Sequence, residues 1–88
     1  MNKIIMLDSF KESFDNLDSN SQKKIRKAIR LMAQDLRYPS LQTSKLQGRR
    51  YIWYCRADLD LRITFHFDDD GAIVLRNCGH HDPTLKNP

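Results

Sequence analysis

The chain has 88 residues, 40% of them hydrophobic and 30% charged, with a formal net charge of +4. That length limits it to one domain with a thin core, taken as residues 1–88, and the composition is that of a globular protein that folds in water. No apolar run reaches the roughly 20 residues of a membrane span, and "NKIIMLDSF" turns polar after four apolar positions, unlike a signal peptide. A cytoplasmic protein with no membrane partner is therefore expected.

The first element is "KIIML", an apolar run of strand length that ends at Asp8 and Ser9. Ser9 followed by Glu12 has the spacing of a capping box, and Phe10, Phe14 and Leu17 supply the apolar face of a first helix. Ser19 and Gln22 repeat the capping signature. Ile25, Ala28, Ile29, Met32, Ala33 and Leu36 then recur at three- and four-residue intervals, an amphipathic stripe that Pro39 stops.

After a polar loop, "YIWYCRA", "LDLRITFHF" and "AIVLRNC" are rich in β-branched and aromatic residues, and "DDDG" supplies a turn between the last two. The fold class that results is α+β, in the order β-α-α-β-β-β. A mainly antiparallel four-stranded sheet, with the N-terminal strand at an edge or beside it, carries two helices on one face. A period of two places Leu61, Ile63, Phe65 and Phe67 on one side of their strand and Arg62, Thr64 and His66 on the other. Two helices cover one side only, so the aliphatic side is expected to be buried with Ile29, Met32 and Leu36, leaving Arg62 and His66 in the open. Cys55 and Cys78 fall in apolar strand-like runs, where free cysteine behaves as a small hydrophobe, and no disulfide is expected.

The charge is unevenly spread. Residues 23–50 carry nine cations against the single Asp35, a net +8, whereas residues 51–88 carry four cations and six acids, a net −2. The positive stretch attracts a polyanion or an acidic protein partner through steering that salt would weaken, and a solvated helix face is the plainer alternative.

Chemistry concentrates in "RNCGHHDPTL", residues 76–85. Histidine can give and take protons at neutral pH, and an arginine fork matches phosphate oxygens without losing its charge. On the residues alone, His81 stays open between proton transfer, a turn histidine and a metal ligand, with His80 as a second candidate for the first role. Arg62 is open between a functional cation and a surface partner of Asp58 or Asp60. Cys78, His80 and His81 could supply three zinc ligands, but no Cys-x-x-Cys or His-x₃-His pair completes a tetrahedral set, so no metal is expected.

The order of elements, "LQG" before the sheet, "WYCRADLDLRITF" with arginines at 56 and 62, and a closing glycine-x-histidine together resemble the RelE/ParE toxin superfamily of bacterial type II toxin–antitoxin modules. Within it the chain is most similar to the mRNA endonucleases of the RelE and YafQ type. The resemblance implies a toxin that cuts mRNA on the ribosome by attack of a 2′-hydroxyl on the adjacent phosphate, with acid–base catalysis and neither metal nor small-molecule cofactor. It implies as partners a cognate antitoxin, mRNA and the ribosome. Arg62 matches an arginine that stabilises phosphate charge, and His81 matches the histidine two residues after the strand-end glycine. Asp60 matches an aspartate four residues after a histidine whose place Arg56 takes here. The implied catalytic set is thus His81, Arg62, Arg56, Asp60 and His80, with Lys23, Lys24, Lys27, Lys45, Arg49 and Arg50 as the RNA- and ribosome-binding cations. Leu85 stands where the family often has a terminal aromatic residue. A ParE-like inhibitor of DNA gyrase that acts by binding, and a non-toxic partner-binding module, are the alternatives.

Overall fold

The computed structural model describes residues 1–88. The elements run β1 (Ile4–Met6), α1 (Asp8–Asp15), α2 (Ser19–Gln34), a 3₁₀ turn (Pro39–Leu41), β2 (Ser44–Lys45), β3 (Trp53–Arg56), β4 (Leu61–Phe67), β5 (Ile73–His80) and α3 (His81–Lys86). The strands form one sheet in the order β1-β5-β4-β3-β2, so there are five strands rather than four, the extra one being the two-residue β2. All pairings are antiparallel except β1 with β5, which is parallel, with Ile4 facing Ile73. β1 is an edge strand, as expected.

The period-two reading of β4 holds for the core. Leu61, Ile63 and Phe65 are buried against Phe10, Ile25, Ala28 and Met32 of the two long helices, with Leu75 and Cys78 beside them on β5. Each fully buried large side chain contributes about 1.5–3 kcal/mol of apolar transfer. Ile29 and Leu36 are only half-buried at the margin of this cluster. Phe67 is exposed, because it ends β4 and meets Phe65 and Trp53 edge-on outside the core.

The opposite face is not open along its length, which corrects the sequence reading. The short helix α3 folds back over β4 and β5 on that side, and Thr64, Arg62 and Thr84 are all buried there. Thr64 Oγ1 donates to Pro88 O at 3.0 Å, and Asn77 Nδ2 donates to Asn87 O at 2.7 Å. His66 also has a partner, since its Nδ1 accepts from Arg76 Nη1 at 3.0 Å. Gly79 makes the reversal possible. Its φ of +149° suits only glycine, and a Cβ there would lie 2.9 Å from Thr84 Oγ1.

Neither capping box forms. Ser9 Oγ donates instead to Arg76 O at 2.7 Å, which ties α1 to β5, and α1 has no side-chain cap. At α2 the cap is Asp18, one residue earlier, whose Oδ1 accepts from Ser21 N–H at 2.9 Å. The "DDDG" turn forms as expected, with Asp68 Oδ1 accepting from the N–H of Asp70 and of Ala72 and Gly71 at φ +82°.

Candidate active site

At one end of the sheet β3 ends, β4 begins and β5 ends side by side. Arg56 of β3 faces Arg62 of β4, which faces Gly79 of β5, and Leu61 faces His80 one step further on. With strands about 4.8 Å apart, Arg56 to Gly79 spans roughly 10 Å, and the histidines lie just past that row. The β3–β4 connection closes as an Asx turn, in which Asp58 Oδ1 accepts from Asp60 N–H at 2.9 Å and Leu61 N–H at 2.7 Å.

That turn delivers Asp60 to the end of β5. Its Oδ2 lies 2.5 Å from His80 Nδ1, and its Oδ1 accepts from His81 N–H at 3.4 Å. The His80 contact lowers the Asp60 carboxyl; burial opposes it, and the His81 N–H adds to the lowering, so the carboxyl stays below its ordinary value. An ionised carboxylate can only accept, so the proton between them sits on His80 Nδ1 and leaves Nε2 as the free ring nitrogen. Both side chains are about three-fifths exposed, at 61% for His80 and 62% for Asp60, so the pair is accessible. His81 has a carboxylate of its own, with Nδ1 2.8 Å from Asp82 Oδ1, and it too keeps Nε2 free. Two adjacent imidazoles, each held at Nδ1 by an aspartate, present two free nitrogens that can exchange protons.

Arg62 departs most from expectation. It is 8% exposed, and its Nη1 donates to the carbonyls of Asp58 (3.0 Å), Leu59 (3.2 Å) and Leu61 (3.1 Å), while Nε has no partner. The alternation of β4 sends it to the face that α3 closes, and it folds under the Asx turn. It therefore clamps the segment that carries Asp60 and is not presented to a ligand. Arg56, its cross-strand neighbour, is the cation left near the row, half-buried with Nη1 donating to Gln42 Oε1 at 2.7 Å.

The cations assigned to RNA separate into two groups. Lys24 is committed to Asp58 at 3.0 Å, whereas Lys23 and Lys27 project from α2 with no ion pair. Lys45, Arg49 and Arg50 lie on the β2–β3 hairpin, exposed and without carboxylate partners. Burial raises Asp58, but the Leu61 N–H and Lys24 overcome it and leave its carboxyl lowered. Cys78 lies in the core, apart from the exposed His80, and no three His, Cys, Asp or Glu side chains are placed to hold a metal ion.

Sequence reasoning missed Asp58, Asp82 and Gly79 as supports of the site. The "ADLDL" spacing carries the Asx-turn signal that could have found Asp58, while Asp82 and the Gly79–Thr84 approach depend on α3.

No protein-family model matches the chain. No curated protein matches it in sequence. Its structure, however, is similar to the YoeB/ParE toxin from Agrobacterium tumefaciens, with a TM-score of 0.73 at 17% identity over 90% of this chain and 98% of that one. It is similar to a chain of the E. coli DinJ–YafQ toxin–antitoxin complex, with a TM-score of 0.75 at 11% identity over 93% and 94% of the two chains. A third likeness is to the archaeal RelE–RelB complex from Pyrococcus horikoshii OT3, with a TM-score of 0.72 at 10% identity over 92% and 96%. The class is thereby defined: an α+β protein with the RelE/ParE toxin fold.

Proposed function

We propose that the chain is the toxin of a type II toxin–antitoxin module and acts as a metal-independent endoribonuclease on ribosome-bound mRNA. The observation that carries this reading is the exposed Asp60–His80 pair, 2.5 Å across, with His81 beside it at the end of a sheet that has the fold of YafQ, RelE and YoeB/ParE toxins. His80 Nε2 takes the proton of the 2′-hydroxyl while Asp60 stabilises the imidazolium. The 2′-oxygen bonds to phosphorus, and the bond from phosphorus to the 5′-oxygen breaks. His81, entering as the imidazolium with Asp82 at its Nδ1, gives its Nε2 proton to that oxygen and ends neutral, leaving a 2′,3′-cyclic phosphate and a free 5′-hydroxyl. Arg56 balances the charge that builds on the phosphorane. Arg62 serves through the Asp60 turn.

The partner in the cell is a cognate antitoxin, by analogy with the DinJ–YafQ and RelE–RelB pairs. An acidic, amphipathic segment suits the net +8 of residues 23–50 and the apolar cleft of about 300 Å³ that Met6, Phe10, Phe14 and Ile29 help to line. Expression of the wild type is expected to arrest growth and to produce new 5′ ends by primer extension on a reporter mRNA, and His80→Ala, His81→Ala and Asp60→Asn to do neither. Arrest by all the variants, with intact mRNA and inhibited gyrase supercoiling, would replace this reading with the ParE-like one.

A further inference from the structure

Between Leu36 and Ala57 the chain has five cations, Arg37, Lys45, Arg49, Arg50 and Arg56, and no acid. Arg37 is held by Asp35 and Arg56 by Gln42, which leaves Lys45, Arg49 and Arg50 free. These three share one hairpin turn. Leu46 N–H donates to Ile52 O at 2.9 Å and Arg49 N–H to Leu46 O at 3.3 Å, closing a hairpin through Gly48 at φ +79°. Next to the cations stands Tyr51, 71% exposed, the most exposed aromatic side chain of the chain. The Arg50 guanidinium lies 5.8 Å from the centre of its ring. The ring thus has a cation beside it and stays largely open to water.

We infer that the β2–β3 hairpin is a second RNA contact, in which Tyr51 stacks on an unpaired base while Lys45, Arg49 and Arg50 neutralise the neighbouring phosphates of a single strand. The inference rests on the proposed nuclease reading and deepens it, because it assigns a binding element that takes no part in the chemistry. A single strand offers both complements at once, a π-face on each base and a charge on each phosphate.

The position of the hairpin fits the same ligand. Tyr51 lies in the turn just before β3, five residues ahead of Arg56, at most about 17 Å away if the intervening chain is extended at about 3.3–3.4 Å per residue. A strand bridging the two elements must run for several nucleotides, so the hairpin grips RNA flanking the bond that is cut. The geometry makes it a device for affinity and registration, insensitive to the identity of the scissile base.

The test is fluorescence anisotropy with the full chain and a labelled oligouridylate of about twelve nucleotides, inside the ~4–16 spanned by single-strand sites of this kind, with primer extension run in parallel. Tyr51→Ala is expected to weaken binding roughly 5- to 150-fold, the range typical of one stacked base, and Tyr51→Phe to retain it. Arg49→Ala with Arg50→Ala is expected to lower the slope of log affinity against log salt by about 1.4, at ~0.7 per neutralised phosphate of a single strand. His80→Ala is expected to bind as the wild type and not cut. Hairpin variants that bind and cut like the wild type would overturn the inference and leave the nuclease reading intact. Wild-type binding through the hairpin without cleavage on ribosomes would do the opposite. Failure of the wild type to bind the oligonucleotide while it captures an acidic peptide would assign the hairpin to a protein partner and overturn the inference as well.

Discussion

At one end of β3 the charged groups are paired, and at the other end they are free. Around the Asx turn Asp58 holds Lys24, Asp60 holds His80 and Asp82 holds His81, all within 3.0 Å. On the hairpin Lys45, Arg49 and Arg50 have no carboxylate partner, and Tyr51 stands exposed beside them. Pairing fixes ring orientation and tautomer, which chemistry requires. Unpaired charge keeps its field for a ligand, which capture requires. The comparison teaches that the positive charge read along residues 23–50 is not one surface, since Lys24 is already neutralised by Asp58 and the hairpin cations are not.

The largest effect expected belongs to the paired end. Asp60→Asn and His80→Ala should each lower turnover by about 10²- to 10⁴-fold, the usual worth of a positioned acid–base group. Both side chains are exposed, so melting temperatures should barely move. A large loss of stability in single-turnover and melting measurements would mean that the pair only holds α3 in place.

Next come the two supports of that end. Arg62→Ala leaves three carbonyls without their shared donor and should cost about 1–3 kcal/mol. Gly79→Ala forces a non-glycine residue to φ +149° against Thr84 and should cost roughly 1–3 kcal/mol. Each kcal/mol lowers the melting temperature by roughly 4–8 °C in a domain of this size. If Arg62→Ala abolishes turnover at unchanged stability, its guanidinium leaves the carbonyls for the phosphate and the clamp assignment is wrong.

Acid should act on the fold in a set order. The Asp60 carboxyl is lowered by the His80 hydrogen bond, so its stabilising effect is present above the ordinary carboxylate value of 3.8 and is lost as pH falls through the lower folded value. Asp18 follows the same sign through Ser21. His66 is lowered chiefly by burial and then by Arg76, so it contributes above its ordinary 6.5 and weakens the fold as pH drops below that. Thermal melts should decline as pH falls below the ordinary histidine value of 6.5, and His66→Gln should remove that decline. The smallest effect belongs to Lys24. Its exposed pair with Asp58 is worth about 0–1 kcal/mol, and Lys24→Ala should leave the salt dependence of RNA binding unchanged, in contrast to the hairpin variants.

Much of this frame was legible in the sequence because it follows from periodicity. The alternation of Leu61, Ile63 and Phe65 placed the sheet phase correctly, and the stripe from Ile25 to Leu36 placed Ile25, Ala28 and Met32 in the core but left Ile29 and Leu36 at its margin. What escaped was short or non-local. The helix α3 is six residues long and contains Pro83, too brief for a periodic signal, and without it Arg62 had no reason to be buried. The Ser9–Glu12 spacing misled because the hydroxyl found a carbonyl 67 positions away on β5. Asp60 and both histidines were singled out from residue type and resemblance. Their pairing, His80 with Asp60 rather than His81, depended on the way β5 ends.

The two cysteines carry a practical consequence. Cys55 and Cys78 flank Ile63 across the sheet, and burial pushes both thiols up to about 12. Almost no thiolate exists at neutral pH, so both sulfurs are silent toward alkylating reagents while the fold is intact. A cysteine introduced at exposed Gln47 would then be the one reactive handle in the wild-type background, allowing a fluorophore to report on the hairpin. Alkylation of the native pair would serve as a clock for the opening of the core.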